Sequence, residues 1–307
     1  MQTPHIPVLL DEVLDSFKDV GEGYFVDCTL GYAGHSSAML ERYPGLRHIG
    51  IDRDDEALAF SKERLTPYAA RSTLYKGTFS EVFPALKEAP IVAVLADFGV
   101  SSLQLDKRER GFSFHSDTLD MRMDASSELS AHDVVNGYTQ ERLEYIFDVY
   151  GEIPAYKKLA AAIVEARLSA PIGSAKALSE IAKAVLPSQG KIHPATLMFQ
   201  AIRIEVNNEL GEIEGLLDAL EQKHIKAEVV SLISFHSLED RLVKNRFKKW
   251  SQACICDAAA LRCTCGGKNA LGKTLFSKPK TASASELKAN PRSRSAKLRS
   301  FRFTHAC

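Results

Sequence analysis

An acidic residue stands at the point where a predicted buried strand should end. The uncharged run 91–95 is typical of such a strand; Asp97 follows it closely, and the hydroxyls of Ser101 and Ser102 come soon after. Ligands of open α/β sheets bind outside the carboxyl ends of the strands. The segment therefore predicts a side chain that points into a site, although an ordinary turn after a strand would share this pattern.

A second acid, Asp27, ends a short apolar strand upstream. A turn containing Gly31 and Gly34 follows it, and then a predicted helix from about residue 35 to 42. Glycine permits positive φ or a close approach of ligand to backbone, and the first N–H groups of a helix attract negative or polar groups. The dinucleotide fingerprint G-x-G-x-x-G is absent, so the turn alone is a weak indication.

A third acid, Asp52, ends the next predicted strand, 18 residues beyond Gly34. An acid at this position is suited to accept hydrogen bonds from ribose hydroxyls. It could also cap the helix predicted over residues 54–65, and the two roles are compatible.

The three strand ends together describe a pocket for a nucleoside that carries a positive charge. S-adenosylmethionine (SAM) has a ribose and a sulfonium centre, whereas a nicotinamide dinucleotide would place its pyrophosphate among carboxylates. Phe79 follows a third predicted strand, residues 72–75, and could stack on an adenine. A position in the core explains Phe79 equally well, since most phenylalanines are buried for packing.

The composition is typical of a globular protein. The chain has 307 residues, of which 45% are hydrophobic and 25% charged, and this length suits about two domains. We expect a cytoplasmic location, because no apolar run approaches the ~20 residues of a membrane span and no N-terminal secretory signal is visible.

Charge is divided unevenly along the chain, although the net charge is zero. Residues 241–307 contain 16 Lys or Arg and two acids, so this segment carries +14 and the remainder −14. A solvated basic face is the ordinary explanation, but so one-sided a block favours a polyanion such as RNA or DNA. Residues 290–299 are its densest part, and arginine is suited to phosphate contact.

Four of the six cysteines form two closely spaced pairs, Cys254-x-Cys256 and Cys263-x-Cys265. In a cytoplasmic chain, clustered thiols are metal ligands or free cysteines more often than disulfides. Four thiolates could close a tetrahedral zinc site, but the spacing C-x-C is tighter than the usual two to four intervening residues. We therefore assign no metal from the sequence.

The order of elements predicts an α/β sheet domain interrupted by helices. After an opening helix within residues 7–17, strands and helices alternate up to Asp97, as in a parallel sheet covered by helices. Thr139 and Ser174 are suited to cap helices that follow. The predicted helices of this second part cover residues 139–149, 155–169, 175–186 and 196 to about 220.

Strand character returns over residues 227–235, and the polar His236 follows directly. A last strand is predicted over residues 297–303. We therefore predict a discontinuous Rossmann-like domain of residues 1–105 and 208–307, with residues 106–207 as an all-helical insertion.

Nine motifs in a fixed order carry a family resemblance. They are DCTLGYAGHS (27–36), IDRD (51–54), DFGVSSLQLD (97–106), RGFSF (110–114), LDMRMD (119–124), HPAT (193–196), FQAIR (199–203), SFHSLEDR (234–241) and NPRSR (290–294). Together they resemble the small-subunit ribosomal RNA cytosine-N4 methyltransferases, the MraW/RsmH family, over nearly the whole chain.

The resemblance implies a class I methyltransferase sheet domain with a helical substrate-recognition insertion. It implies methyl transfer from SAM to the exocyclic N4 amine of one cytidine in the decoding region of small-subunit ribosomal RNA. The family usually has glycine where this chain has Ala33, so the backbone there must tolerate a Cβ. The cofactor contacts that carry over are Ala33, Gly34, His35, Asp52, Phe79, Asp97 and Gln104.

We assign the catalytic role first to Asp97 and then to Ser101, Ser102 and His236. The N4 lone pair of cytosine is delocalised into the ring, so a site must turn it toward the methyl donor and accept the amine hydrogens. Asp97 is suited to accept them, and the other three could orient the base. Asp97 could equally bind the cofactor without proton chemistry.

Residues of the helical insertion are expected to flank a base that is turned out of folded RNA. Arg203 and the loop of Phe112 and Phe114 are the candidates, although the two phenylalanines could instead anchor the core.

Three other functions stay open. One is a non-catalytic RNA-binding protein with a vestigial nucleoside pocket, which would bind SAM without methylating RNA. A DNA amino-methyltransferase is disfavoured because DFGV (97–100) lacks the prolines and the fourth-position aromatic of that motif. A nicotinamide oxidoreductase is disfavoured by the missing fingerprint. The sequence also leaves a homodimer open.

Overall fold

The computed structural model describes residues 6–187, 193–222, 228–257 and 262–304, apart from the side chains at 102 and 103. The strands are β1 (Gly23–Asp27), β2 (Leu46–Asp52), β3 (Ser72–Lys76), β4 (Ile91–Asp97), β5 (Val229–Ser234), β6 (Gly272–Thr274) and β7 (Lys297–Phe303).

Helices make up most of the remaining regular structure. They are α1 (Leu10–Ser16), α2 (Gly34–Arg42), α3 (Asp55–Arg64), α4 (Phe79–Ala85), α5 (Ser102–Asp106), α6 (Ala131–Gly137), α7 (Gln140–Val149), α8 (Tyr156–Ser169), α9 (Ala175–Val185), α10 (Thr196–Asn207), α11 (Glu209–Gln222), α12 (Ser237–Trp250) and α13 (Ala284–Ala289).

The seven strands form one sheet in the order β3-β2-β1-β4-β5-β7-β6. β7 runs antiparallel to β5 and β6, and the other neighbouring strands are parallel. The predicted Rossmann-like α/β sheet is confirmed. The strand order reverses between β1 and β4, which is the position where ligands bind in sheets of this kind.

Burial explains why the central strands are continuous apolar runs. All residues of β5 are buried, and in β4 only the final residue, Asp97, is partly exposed. Strands covered on both faces lose the alternation of apolar and polar residues. Asp97 therefore ends its strand at the margin of the core.

The chain divides into two compact units. The first contains the described residues up to Gly99 and those from Glu212 onward, and it holds the sheet. The second is Val100–Gly211, in whose described part every regular element is a helix, as expected for the insertion. We predicted dividing points after residues 105 and 207; the compact units divide after residues 99 and 211.

Two predicted helix caps of the second unit are confirmed. The side chain of Thr139 accepts a hydrogen bond from the Arg142 N–H at 3.2 Å, and that of Ser174 accepts one from the Ala177 N–H at 3.1 Å. Each side chain satisfies a backbone donor that has no partner within its own helix.

The single helix predicted from residue 196 to about 220 is wrong. The structure has two helices, α10 and α11, separated by Asn208 at φ 49° and ψ 38°. Asparagine adopts this left-handed conformation more readily than most residues and often ends helices there. The apolar periodicity continues across Asn208 and concealed the break.

No helix in the described ranges is both long and apolar enough to cross a membrane.

Candidate active site

Asp27, Asp52 and Asp97 end three neighbouring strands, because β1 lies between β2 and β4. Asp27 is opposite Gly50 of β2 and Leu95 of β4. Asp52 and Asp97 are each two residues further along, so they flank the turn that leaves β1. The structure thus brings the three acids together at one edge of the sheet.

The turn after β1 is hydrogen-bonded to both flanking acids. The Gly31 N–H donates to Oδ2 of Asp52 at 2.7 Å, and the Asp97 N–H donates to Oγ1 of Thr29 at 2.6 Å. The Asp54 N–H donates to Oδ1 of Asp52 at 2.9 Å. Each carboxylate oxygen can accept more than one hydrogen bond, so Asp52 retains the capacity to accept hydroxyl groups.

The alternative role of Asp52 as the cap of α3 is wrong. The N-cap is Asp54, whose side chain accepts a hydrogen bond from the Glu56 N–H at 3.1 Å. Asp52 instead accepts hydrogen bonds from two turns: from Gly31 in the turn after β1, and from Asp54 in the turn after β2.

Two residues of the turn have left-handed backbone conformations, Gly31 at φ 50° and Ala33 at φ 54°. Glycine adopts this conformation without a Cβ penalty, whereas for alanine it costs roughly 1–2 kcal/mol. Ala33 is fully buried and precedes α2 as its N-cap. The fold therefore holds Ala33 in a conformation that glycine would adopt more easily.

Gly34 and His35 begin α2 and contact the segment before α1. A Cβ on Gly34 would lie 2.5 Å from Cγ of Pro7, so the absent side chain makes room for packing within the chain. Nε2 of His35 lies 2.8 Å from the carbonyl oxygen of Val8. Both of these predicted cofactor contacts thus pack against the N-terminal segment of the same chain.

A buried chain of polar groups fixes the carboxylate of Asp27. Its Oδ2 accepts from the Ser36 hydroxyl at 2.6 Å, the Ser36 oxygen lies 2.9 Å from Nε2 of His48, and Nδ1 of His48 lies 2.7 Å from the Ser72 hydroxyl. Burial, and then the charge of Arg71, lower the pKa of His48 to about 3. The neutral ring therefore donates to Ser36 and accepts from Ser72, because the one hydroxyl hydrogen of Ser36 goes to Asp27.

The acids of this edge resist ionisation. Burial raises the pKa of Asp27 to about 6, and a smaller rise comes from the charge of Asp52. Burial also raises the pKa of Asp52. For Asp97 the pKa rises well above its ordinary value because of burial, then the charge of Asp27, then that of Glu239. A positive group bound here would reverse this tendency.

One oxygen of Asp97 has no protein partner in the described part of the chain. Oδ1 is buried and accepts no hydrogen bond there. A buried carboxylate oxygen without a donor is costly, and such atoms in native proteins are usually satisfied by a ligand, an ion or water. The atom is therefore suited to a donor or a cation from outside the chain.

Glu239 is a fourth acid at this edge, and we did not assign it from the sequence. It is fully buried, and its charge acts on Asp97. Its Oε2 accepts from the N–H groups of Phe235 and His236 at 2.7 and 3.2 Å, which fixes the turn from β5 into α12. The pattern of a capping residue followed three positions later by glutamate, H-x-x-E, was the available signal.

His236, a predicted catalytic residue, is the N-cap of α12. Its side chain accepts from the Glu239 N–H at 3.5 Å, and its Nε2 lies 3.1 Å from Oε1 of Glu239. Phe79, a predicted cofactor contact, is 8% exposed, with its ring centroid 6.0 Å from that of Phe98. Both side chains have structural contacts within the first unit.

Ser101 and Gln104 belong to the second unit and bind each other. The Ser101 N–H donates to Oε1 of Gln104 at 3.0 Å, and the Gln104 N–H donates to Oγ of Ser101 at 3.3 Å. This reciprocal pair is a capping box at the start of α5. The side chain of Ser102 lies outside the described residues.

The residues expected to flank a flipped base also have partners inside the second unit. Arg203 forms a bidentate pair with Glu209 at 2.7 and 2.9 Å. Phe112 is in the core, and Phe114 stacks on His193 with centroids 4.6 Å apart. The two phenylalanines therefore anchor this unit, as the alternative explanation held.

Comparison with known proteins decides the family. The sequence profile of the MraW methylase family matches residues 2–304. The chain belongs to the MraW methylase family. It is 76% identical over 303 residues to ribosomal RNA small subunit methyltransferase H of Sulfurovum sp. (strain NBC37-1), covering 99% of each chain. The protein of the same name from Wolinella succinogenes is 56% identical, again over 99% of each chain.

A solved structure with a distant likeness is M. capricolum TrmK in complex with S-adenosyl-homocysteine. It is 6% identical, with a TM-score of 0.41, over 99% of this chain and 73% of that one. So distant a likeness has no bearing on the site.

Proposed function

We propose that this chain transfers a methyl group from SAM to the exocyclic N4 amine of one cytidine in the decoding region of small-subunit ribosomal RNA. Membership of the MraW methylase family supports methyl transfer. The relatives named ribosomal RNA small subunit methyltransferase H, up to 76% identical, support the substrate.

The arrangement of Asp27, Asp52 and Asp97 at one sheet edge is the observation on which the proposal depends. Burial raises the pKa values of all three carboxyl groups; the charge of Asp52 adds to the rise at Asp27, and that of Asp27 to the rise at Asp97. Oδ1 of Asp97 has no hydrogen-bond partner among the described residues. A ligand that brings both hydroxyl donors and a positive charge fits this donor set. SAM has both, and when bound it supplies a methyl group on a positively charged sulfur.

Asp52 would hold the ribose of SAM. Both of its oxygens are already fixed by backbone N–H groups of Gly31 and Asp54, so the carboxylate is positioned before any ligand arrives. The remaining cofactor contacts taken from the resemblance are proposals on the same footing: Ala33, Gly34, His35, Phe79, Asp97 and Gln104.

Asp97 would act on the cytosine amine. As an acceptor of an N4 hydrogen it turns the nitrogen lone pair toward the methyl group. The N4–carbon bond forms as the sulfur–carbon bond breaks with its electron pair left on sulfur, and one N4 proton is then released to Asp97 or to solvent. Ser101 and His236 are retained as orienting groups for the base, acting beside the capping contacts described above.

The basic segment 241–307 would contact the RNA backbone. Some of its basic side chains form ion pairs within the unit: Arg299 forms a bidentate pair with Asp240, and Lys297 also approaches Asp240. Arg292 and Arg294 are exposed on the 3₁₀ turn before β7. We propose that these two arginines bind phosphate without reading sequence.

Labelled SAM and small ribosomal subunits that lack the modification test the proposal. We expect N4-methylcytidine in the decoding region, identified by mass spectrometry after nuclease digestion. Asp97→Asn should reduce turnover by at least about 100-fold at saturating SAM, in the range of a lost catalytic acceptor, and Glu81→Gln is the matched exposed control. Absence of the product with chain that binds SAM would favour the non-catalytic RNA-binding protein instead.

We also propose a cytoplasmic location, where the ribosomal RNA substrate is assembled; fractionation of cells would test it.

A further inference from the structure

The four paired cysteines converge on one point of the first unit. Sγ of Cys254 lies 3.6 Å from that of Cys263 and 3.7 Å from that of Cys265, and Cys263 and Cys265 are 3.6 Å apart. With Cys256, all four sulfur atoms lie within 4.8 Å of one another. We call these four residues the cysteine cluster.

The spacing within the cluster fits a metal ion better than disulfides. A tetrahedral zinc site with Zn–S bonds of about 2.3 Å has sulfur atoms about 3.8 Å apart along each edge. The three pairs among Cys254, Cys263 and Cys265, at 3.6 to 3.7 Å, match that edge. A disulfide would need about 2.05 Å, and all four residues are free cysteines.

Two of the sulfur atoms each accept a hydrogen bond from a backbone N–H. The Thr264 N–H lies 3.2 Å from Sγ of Cys256, and the Ile255 N–H lies 3.4 Å from Sγ of Cys265. The two C-x-C segments therefore lie side by side, each donating to a sulfur of the other. Hydrogen bonds of this kind stabilise thiolates and orient metal ligands.

The described part of the segment that carries the cluster is held near its base by backbone hydrogen bonds, one of them from the Asn269 N–H to the Ala253 carbonyl at 3.0 Å. It is the connection 251–271 between α12 and β6, closed at its base by the Leu271 N–H, which donates to the Trp250 carbonyl at 2.7 Å. Inside it, Ile255 is 62% exposed, and Cys254 and Cys263 are exposed as well. The described residues of this connection, 251–257 and 262–271, belong to none of the hydrophobic cores. A short segment of this kind usually needs a metal or cross-links to keep one conformation.

We propose that the cysteine cluster binds one zinc ion with a structural role. Four thiolates complete the tetrahedral coordination, so no open position is left for water or substrate. The ion would fix the connection 251–271, and it would be separate from the carboxylates at the carboxyl ends of β1, β2 and β4. The tight C-x-C spacing did not predict this, because it is the pairing of two such segments that supplies the tetrahedron.

Metal analysis of the full chain tests the proposal directly. Chain purified with reductant, without chelator and without a histidine tag should contain about one equivalent of zinc. Cobalt added to zinc-free chain should give the intense thiolate-to-metal absorption and the visible bands of a tetrahedral four-sulfur site. Chain with less than a tenth of an equivalent of zinc that also shows no cobalt spectrum would overturn the proposal, as would two disulfides among the four cysteines in freshly isolated chain.

Variants separate the cluster from chance binding elsewhere. The double variant Cys263→Ser with Cys265→Ser should lose the zinc, while Cys28→Ala, at a buried cysteine of the first strand turn, should keep it. In the unmodified chain, a chelator should speed tryptic cleavage after Arg262 and Lys268, which are exposed inside the segment, at least several-fold. Unchanged zinc content in the double variant, or cleavage indifferent to the chelator, would contradict the structural site.

Discussion

Replacing Asp27 by asparagine should change how stability depends on pH. The pKa of this carboxyl rises from 3.8 to about 6 on folding, because burial disfavours its charge. Between these two pH values the native chain binds a proton that the unfolded chain has released. The free energy of unfolding therefore falls as pH rises through this interval, and the loss is complete above about pH 6.

The magnitude follows from the two pKa values. One pKa unit corresponds to about 1.4 kcal/mol, so ionised Asp27 costs the native state about 3 kcal/mol at neutral pH. Asp27→Asn lacks this cost while its amide oxygen can still accept from the Ser36 hydroxyl. The stability of the variant relative to the unmodified chain should therefore improve by about 2.4 kcal/mol between pH 4 and pH 7, because the unfolded carboxyl is already more than half ionised at pH 4.

Urea unfolding at a series of pH values, without SAM, measures this difference. The comparison of two proteins is needed because His48 acts in the opposite direction: its pKa of about 3 removes stability as pH falls below 6.5. That contribution is common to both chains and cancels. Asp15→Asn, at an exposed aspartate of α1, is the control. A difference between Asp27→Asn and the unmodified chain that stays constant from pH 4 to 7 would refute the reasoning.

Two further predictions concern the turn after β1 and the basic segment. Ala33→Gly should raise the free energy of unfolding by roughly 0.5–1 kcal/mol, since relief of left-handed strain outweighs the added freedom of the unfolded chain, and Gly31→Ala should lower it by about 1 kcal/mol or more. Urea unfolding checks both, and the same sign for the two variants would contradict the strain argument. Arg292→Glu with Arg294→Glu should weaken binding to small-subunit ribosomal RNA at least tenfold and flatten its dependence on salt, whereas Lys76→Glu, at an exposed lysine paired with Asp55, should change it little. Equal effects of the two changes in a filter-binding titration would remove these arginines from the RNA surface.

Local signals were enough to predict six of the seven described strands; the three-residue β6 was not predicted. An apolar run indicates a buried strand, and the acid that follows it indicates where the strand ends. Both signals lie in one short segment, so β1, β2 and β4 could be predicted together with their terminal aspartates. Their adjacency followed from the general rule for parallel strands.

Contacts that depend on distant residues could not be predicted from the sequence. At position 34 any residue larger than glycine would clash with Pro7. Glu239 lies near Asp97 because β5 pairs with β4. The break at Asn208 depends on one backbone conformation that apolar periodicity does not encode. Spacing along the chain could not predict these contacts, because each depends on how separate segments meet in the fold.

Calorimetric titration of SAM into the full chain tests the central claim, that the acids at the ends of β1, β2 and β4 bind a positively charged nucleoside. We expect one site per chain, and we expect Asp52→Ala to weaken binding about 10- to 100-fold, which corresponds to roughly 1.5–3 kcal/mol for hydrogen bonds to a charged acceptor. Asp55→Ala, at the exposed start of α3, should leave the affinity unchanged. No heat from the unmodified chain, or equal affinities for the two variants, would contradict the account.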